Sequence, residues 1–216
     1  QKMSENAIIV SPSAARSIAI PSLPSLDEIR SVEAICAIAA QSNFVNSSAD
    51  MKNQVQRKAD AFFVVMMGRE LGIPAMQALK TIYVINGKPS CSGQALLSLM
   101  RRAGVQVTIP DPATVTDKAT VIVQRPGSQP HEYTYTRQMA ESAGLWGKDM
   151  WKKYPREMLL WRAISTANRF ETPDITGGLY TIEELAPDTE LNAEGEVIGQ
   201  LRLEPVTTIR PEPQPE

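Results

Sequence analysis

The run Thr81-Ile-Tyr-Val-Ile85 ends in Asn86-Gly87. An Asn-Gly pair after a β-rich stretch permits the positive φ angles of a tight hairpin turn, so Lys88 begins a returning strand. Ser92 can then cap a helix through Ala103, with Leu96, Leu99, Met100 and Ala103 facing inward. Arg101 and Arg102 fall in its last turn, where cations suit the helix dipole, and Gly104 stops it. A hairpin that hands over directly to a capped helix points to an α+β chain. Residues 105–109, 119–125 and 132–136 read as three more strands, joined by turns rich in Pro, Asp and Gly, in an antiparallel meander.

Helices flank these strands. Residues 27–41 carry Ile29, Val32, Ile35, Cys36 and Ala39 on one stripe. The most regular pattern spans 51–71, where Val55, Ala59, Phe62, Phe63, Met66 and Met67 define the expected buried face and Gly72 the stop. Residues 137–142 form a short helix, a loop passes through Gly144 and Gly147, and a second strongly patterned helix covers 155–170. A turn of helix is expected at 181–185. The organisation is a flexible N-terminal arm (1–25), an α+β core (26–186) and a disordered, acidic, Pro-rich tail (187–216).

Net charge is −2, but the charge is divided along the chain. Residues 1–170 hold 20 Lys and Arg against 13 Asp and Glu, a balance of +7, while residues 171–216 hold 2 against 11, a balance of −9. A basic body with an acidic end suggests that the body meets a polyanion. No apolar run is long enough to span a bilayer, and Gln1-Lys2-Met3-Ser4 does not begin a secretory signal. Cys36 and Cys91 stand 55 positions apart in apolar or small-residue company and read as buried reduced thiols, which fits a cytoplasmic location.

Several chemistries lack their residues. The phosphate-binding pattern that ends Gly-Lys-Ser/Thr is absent, because Gly147-Lys148 is followed by Asp149 and Gly87-Lys88 by Pro89. One histidine, His131, excludes a multi-histidine metal site, and its place in a predicted hairpin needs no catalytic explanation. Asp60, Glu70, Asp111 and Asp117 are scattered and read as surface acids, although a magnesium-dependent nuclease could use carboxylates alone.

Residues 146–169 are the informative stretch. Trp146, Lys148, Trp151, Lys152, Lys153, Tyr154, Arg156, Trp161, Arg162 and Arg169 lie within it, including every tryptophan of the chain. Pro155 suits the first helical position, so Lys152 and Lys153 precede a helix N-terminus whose amides already favour an anion. Within the helix, Leu160, Ala163, Ile164 and Ala167 form the buried stripe. Arg162 and Arg169 fall together on the other side, with Ser165 between them. Trp161 flanks the buried stripe and reads as packing, whereas Trp146 and Trp151, in a Gly-containing loop, are the more open rings. Cations for phosphate and rings for unpaired bases point to single-stranded nucleic acid.

The order of these elements resembles the RecT and Red-beta family of phage single-strand annealing proteins. The resemblance rests on Ile82-Tyr-Val-Ile-Asn-Gly-Lys88 through Arg101-Arg-Ala-Gly104, on Lys118-Ala-Thr-Val-Ile-Val-Gln-Arg125, and above all on Trp151-Lys-Lys-Tyr-Pro-Arg-Glu-Met-Leu-Leu-Trp-Arg-Ala-Ile-Ser-Thr-Ala-Asn-Arg169. It covers roughly residues 50–185. It implies a compact annealing core and an ATP-independent, non-enzymatic protein that coats single-stranded DNA and pairs it with a complementary strand. Magnesium is admitted as an aid to annealing. The family further implies a homo-oligomer, as a ring or helical filament, in the bacterial cytoplasm, with a phage exonuclease and the host single-strand-binding protein as partners and no membrane. The DNA-binding positions it assigns are Lys152, Lys153, Arg156 and Arg162, with Lys88 a further candidate beside Lys148, Trp151 and Arg169. The competing readings are a magnesium-dependent nuclease and a non-enzymatic phage assembly protein.

Overall fold

A computed structural model describes residues 23–42, 45, 53–85 and 87–186. The arm up to residue 22, most of the link at 43–52, Asn86 and the tail from 187 lie outside the described residues. Helix α1 (Leu26–Ala40) opens on a reciprocal cap. The Glu28 amide donates to Ser25 Oγ at 3.3 Å, and the Ser25 amide donates to Glu28 Oε2 at 2.7 Å. Only the Cys36 and Ala40 end of α1 is buried, and Ile35, expected inside, is 44% exposed.

Helix α2 (Gln54–Glu70) exists where the periodicity placed it, but its buried face is rotated. Arg57, Asp60, Ala61, Val64, Val65 and Gly68 face inward, whereas Val55 is 83% and Phe63 41% exposed. The reason is polar. Arg57 Nε donates to Ala40 O at 3.0 Å and Arg57 Nη2 to Ser42 O at 2.7 Å, so its guanidinium supplies the donors that the last carbonyls of α1 lack. Asp60 is therefore buried too, and accepts from Gln56 Nε2 at 2.8 Å rather than lying at the surface.

After α2, a short helix α3 (Ala75–Thr81) that the sequence pattern did not reveal feeds the hairpin β1 (Ile82–Ile85) and β2 (Lys88–Cys91). Its register is Ile82↔Cys91 to Ile85↔Lys88, and Gly87 takes φ +73° in the turn. Ser92 Oγ accepts from the Ala95 amide at 3.2 Å and starts α4 (Gly93–Arg102). A Cβ on Gly93 would stand 2.8 Å from the Trp161 ring, so glycine lets that indole lie against the start of α4. Leu96, Leu99 and Met100 are buried, but Ala103 has left the helix and is exposed.

The expected meander is present as β3 (Gln106–Thr108), β4 (Lys118–Gln124) and β5 (His131–Thr136), antiparallel in the order β3-β4-β5. Alternation along β4 buries Ala119, Val121 and Val123. Helices α5 (Arg137–Ser142), α6 (Asp149–Lys153), α7 (Pro155–Glu171) and α8 (Pro173–Thr176) follow, of which α6 and α8 were not expected. The two-residue strand β6 (Tyr180–Thr181) joins β2 in parallel, through Ser90↔Tyr180 and Cys91↔Thr181, and α9 (Ile182–Leu185) ends the described chain.

Helix α7 touches β4, β5, α4, α6 and α8, and carries Met158, Leu159, Ala163, Ile164 and Ala167 into a core shared with Leu79, Ile82, Leu96 and Ile182. Cys36 and Cys91 are buried free thiols. Among the described residues, no helix is long and apolar enough to cross a membrane.

Candidate nucleic-acid interface

The loop expected between Gly147 and Pro155 is mostly helix α6. Five residues of helix place Met150 and Trp151 inward and leave Lys152 and Lys153 exposed. Trp151 is 4% exposed, with its ring centroid 5.9 Å from that of Trp146 and 6.4 Å from that of Tyr135. Both tryptophans were expected to be open. Trp151 is core, because the α6 turn points it at β5, and Trp146 is half-buried under the Arg137 guanidinium, 4.8 Å from its centroid.

Tyr154 ends α6 and precedes Pro155, the first residue of α7. Neither Lys148 at the start of α6 nor Tyr154 at the start of α7 caps its helix with a side-chain hydrogen bond. The first amides of α7 are thus left for solvent or an anion, and the helix dipole adds partial positive charge. Lys152, Lys153 and Arg156 surround this end, exposed and without an ion pair to any described residue.

The other predicted cations have a different setting. Arg162 and Arg169 do share a side of α7 with Ser165, but that side is covered by β6 and α9 rather than by solvent. Ser165 is 3% exposed. Arg162 Nη1 lies 3.3 Å from Glu184 Oε1, and Arg169 Nη2 donates to Glu184 Oε2 at 2.8 Å. Each guanidinium also stacks on a ring, Arg162 over Tyr135 at 5.3 Å and Arg169 over Tyr180 at 4.9 Å. Lys88 approaches the same Tyr180 ring, 5.7 Å from its centroid, because β2 and β6 are paired.

The eight predicted positions therefore divide. Lys152, Lys153 and Arg156 lie at the α6–α7 junction and Lys148 at the start of α6, Lys88, Arg162 and Arg169 gather around Tyr180 and Glu184, and Trp151 belongs to the interior. Beside the second group lies a groove of about 590 Å³, bounded by Leu145, Arg162, Thr166, Arg169, Tyr180 and Glu183 among others.

Glu183 and Glu184 were read only as part of a helical turn. The Thr181-Ile-Glu-Glu184 spacing announces a helix start, and the Thr181 amide does donate to Glu184 Oε2 at 3.0 Å. No sequence signal tells that the same carboxylate reaches two arginines of α7. Glu183 is 6% exposed, and neither of its carboxyl oxygens has a hydrogen-bond partner among the described residues; Arg162 Nε is likewise buried and unpartnered.

Burial raises the Glu183 pKa, against smaller opposing pulls from its own backbone amide, from Thr181 and then from Arg162. A carboxyl whose pKa is higher folded than unfolded contributes stability below its unfolded value, about 4.3, and loses it as pH rises through the folded value. Glu183→Gln cannot ionise, so its melting temperature relative to the parent protein is expected to climb as pH goes from 4 to 8. Thermal melts across that range check this, and a constant difference would contradict it.

At the far end of α7, His131 is more engaged than a surface hairpin residue. Its Nδ1 lies 2.5 Å from Glu171 Oε1, to which the Tyr133 hydroxyl donates at 2.6 Å. Burial, and then the Glu171 carboxylate, push the Tyr133 phenol up to about 12, while hydrogen bonds from Tyr133 and His131 hold Glu171 below the usual carboxylate range. Arg125 forms a two-pronged pair with Asp174, 2.7 Å on each arm. This cluster ties β5 and the turn after β4 to the C-terminal end of α7 and to α8. Of the eleven acids after residue 170, then, Glu171, Asp174, Glu183 and Glu184 belong to the folded body.

Among the described residues, no group of three or more His, Cys, Asp and Glu is arranged to hold a metal ion. Comparison with family models, with curated proteins and with solved structures finds no match.

Proposed function

We propose that this chain binds single-stranded DNA through its phosphate backbone and, as a homo-oligomer, anneals complementary strands without ATP in phage recombination. The observation that carries the reading is the trio Lys152, Lys153 and Arg156, exposed and without an ion pair to any described residue at the start of α7, which has no side-chain cap. The α+β architecture and the RecT-like order of elements support it, as does the +7 balance of residues 1–170. A phage exonuclease and the host single-strand-binding protein are the partners this reading brings, in the bacterial cytoplasm.

Annealing needs no covalent catalyst. The protein has to screen repulsion between two phosphate chains, hold bases extended, and retain only strands that gain about 1.4 kcal/mol of stacking per step. One small subunit supplies a short basic track, and repetition in an oligomer extends it.

The test is to mix the protein with labelled complementary oligonucleotides, with and without magnesium and without ATP. Duplex of unchanged length is the expected product. Shortened strands would instead identify a nuclease, and absence of any DNA complex would favour an assembly role.

A further inference from the structure

Between Arg162 and Arg169, one side chain stands where two phosphate oxygens would sit. Glu184 Oε2 receives Arg169 Nη2 at 2.8 Å and the Thr181 amide at 3.0 Å. Glu184 Oε1 receives Ser165 Oγ at 2.7 Å and stands 3.3 Å from Arg162 Nη1. Burial works to raise the Glu184 pKa, but the hydrogen bonds from Ser165, Thr181 and Arg169 outweigh it and hold the group below the ordinary carboxylate range.

We propose that Glu184 is an internal competitor for DNA phosphate, and that it makes the groove between α7 and α9 selective for long single strands over short ones. The inference rests on the DNA-binding reading above and extends it to the regulation of that groove. Carboxylate and phosphate oxygens are equivalent acceptors for an arginine fork, so exchanging one for the other yields little by itself. An isolated phosphate therefore cannot displace Glu184. A strand already anchored at Lys152, Lys153 and Arg156 can, because its later phosphates arrive at high effective concentration. Arg156 and Arg169 are 13 residues apart on α7, about 20 Å along the helix axis, a span that a dinucleotide cannot cover while filling both seats and that a strand of many nucleotides can.

The network also has room to rearrange. Arg162 Nε and both Glu183 oxygens are buried without partners beneath the arginine pair, and the 590 Å³ groove gives an incoming strand access.

Glu184→Gln keeps the shape, can still accept from the Thr181 amide with its one carbonyl oxygen and can donate its NH2 to the Ser165 hydroxyl, but removes the charge. Glu157→Gln, in the first turn of α7 and without contact to Arg162 or Arg169, removes the same charge as a control. Fluorescence anisotropy with oligothymidylates of about 2 and about 40 nucleotides reads affinity over a salt series. Glu184→Gln is expected to tighten the short strand about tenfold and the long strand much less, and to steepen the salt slope by about 0.7 for each arginine released. Glu157→Gln is expected to shift both lengths alike.

If Glu184→Gln does not fold by circular dichroism, Glu184→Asp, which withdraws the carboxylate by one methylene, is expected to favour the short strand in the same direction. Binding by the parent protein together with an unchanged or weaker short-strand complex in the variant overturns the proposal, since the carboxylate would then only orient the arginines. Failure of parent and variants alike to bind the long strand overturns the DNA reading itself, and the competitor role with it.

Discussion

Lys152→Ala combined with Lys153→Ala is expected to weaken single-stranded DNA binding by roughly 10- to 100-fold near physiological salt, through loss of two phosphate contacts. The loss should be the same for every base sequence, because phosphate contacts carry no sequence information. Each contact to a single strand contributes about 0.7 to the slope of log affinity against log salt, so that slope should flatten by about 1.4. Both side chains are exposed and have no ion pair to any described residue, so the melting temperature should stay nearly constant. Anisotropy titrations at several salt concentrations, alongside a thermal melt, measure all three quantities. Unchanged affinity would remove the anion seat at the start of α7.

A large loss of stability is expected from Arg57→Met. Methionine keeps most of the apolar stem and removes the guanidinium, leaving the carbonyls of Ala40 and Ser42 without the donors at 3.0 and 2.7 Å. A hydrogen bond from a charged donor contributes about 1.5–3 kcal/mol when the acceptor is buried, as at Ala40, and less at the exposed Ser42, and part of that is recovered because methionine has no charge to desolvate. A net loss of about 2 kcal/mol follows, or on the order of 4–8 °C in melting temperature for a domain of this size. Urea unfolding gives the free energy directly. A variant as stable as the parent would mean that the α1–α2 hairpin is held by its apolar contacts alone.

The same residue shows where sequence pattern fails. Arg57 and Asp60 look like surface charges, and the run of Val55, Phe62, Phe63 and Met66 looks like the natural inner face of α2. Which face is buried is decided by a partner 17 positions away, the Ala40 carbonyl at the end of α1, and no local period records it. Glu184 is a second case: its capping role was legible from the Thr181 spacing, while its hold on Arg162 and Arg169 depends on β6 pairing with β2 across nearly the whole domain.

Local signals served better where they are self-sufficient. Gly87 in the hairpin, Ser92 as a cap, Pro155 at the start of α7 and the alternation of 119–125 each fix their element without distant help. Short elements such as α3, α6, α8 and β6 lack such signals, because seven residues or fewer carry too little period to distinguish a helix from a loop. The error over Trp151 follows from missing α6.

The central claim is that an exposed cationic trio at the head of α7 grips the backbone of unpaired DNA. Its most direct test is equilibrium binding of the parent protein to single strands of differing base composition over a salt series. The account predicts affinity that is nearly independent of sequence and falls linearly on logarithmic axes, with a slope of about −2 or steeper for three or more phosphate contacts. Absence of binding at low salt, or affinity indifferent to salt, would contradict it.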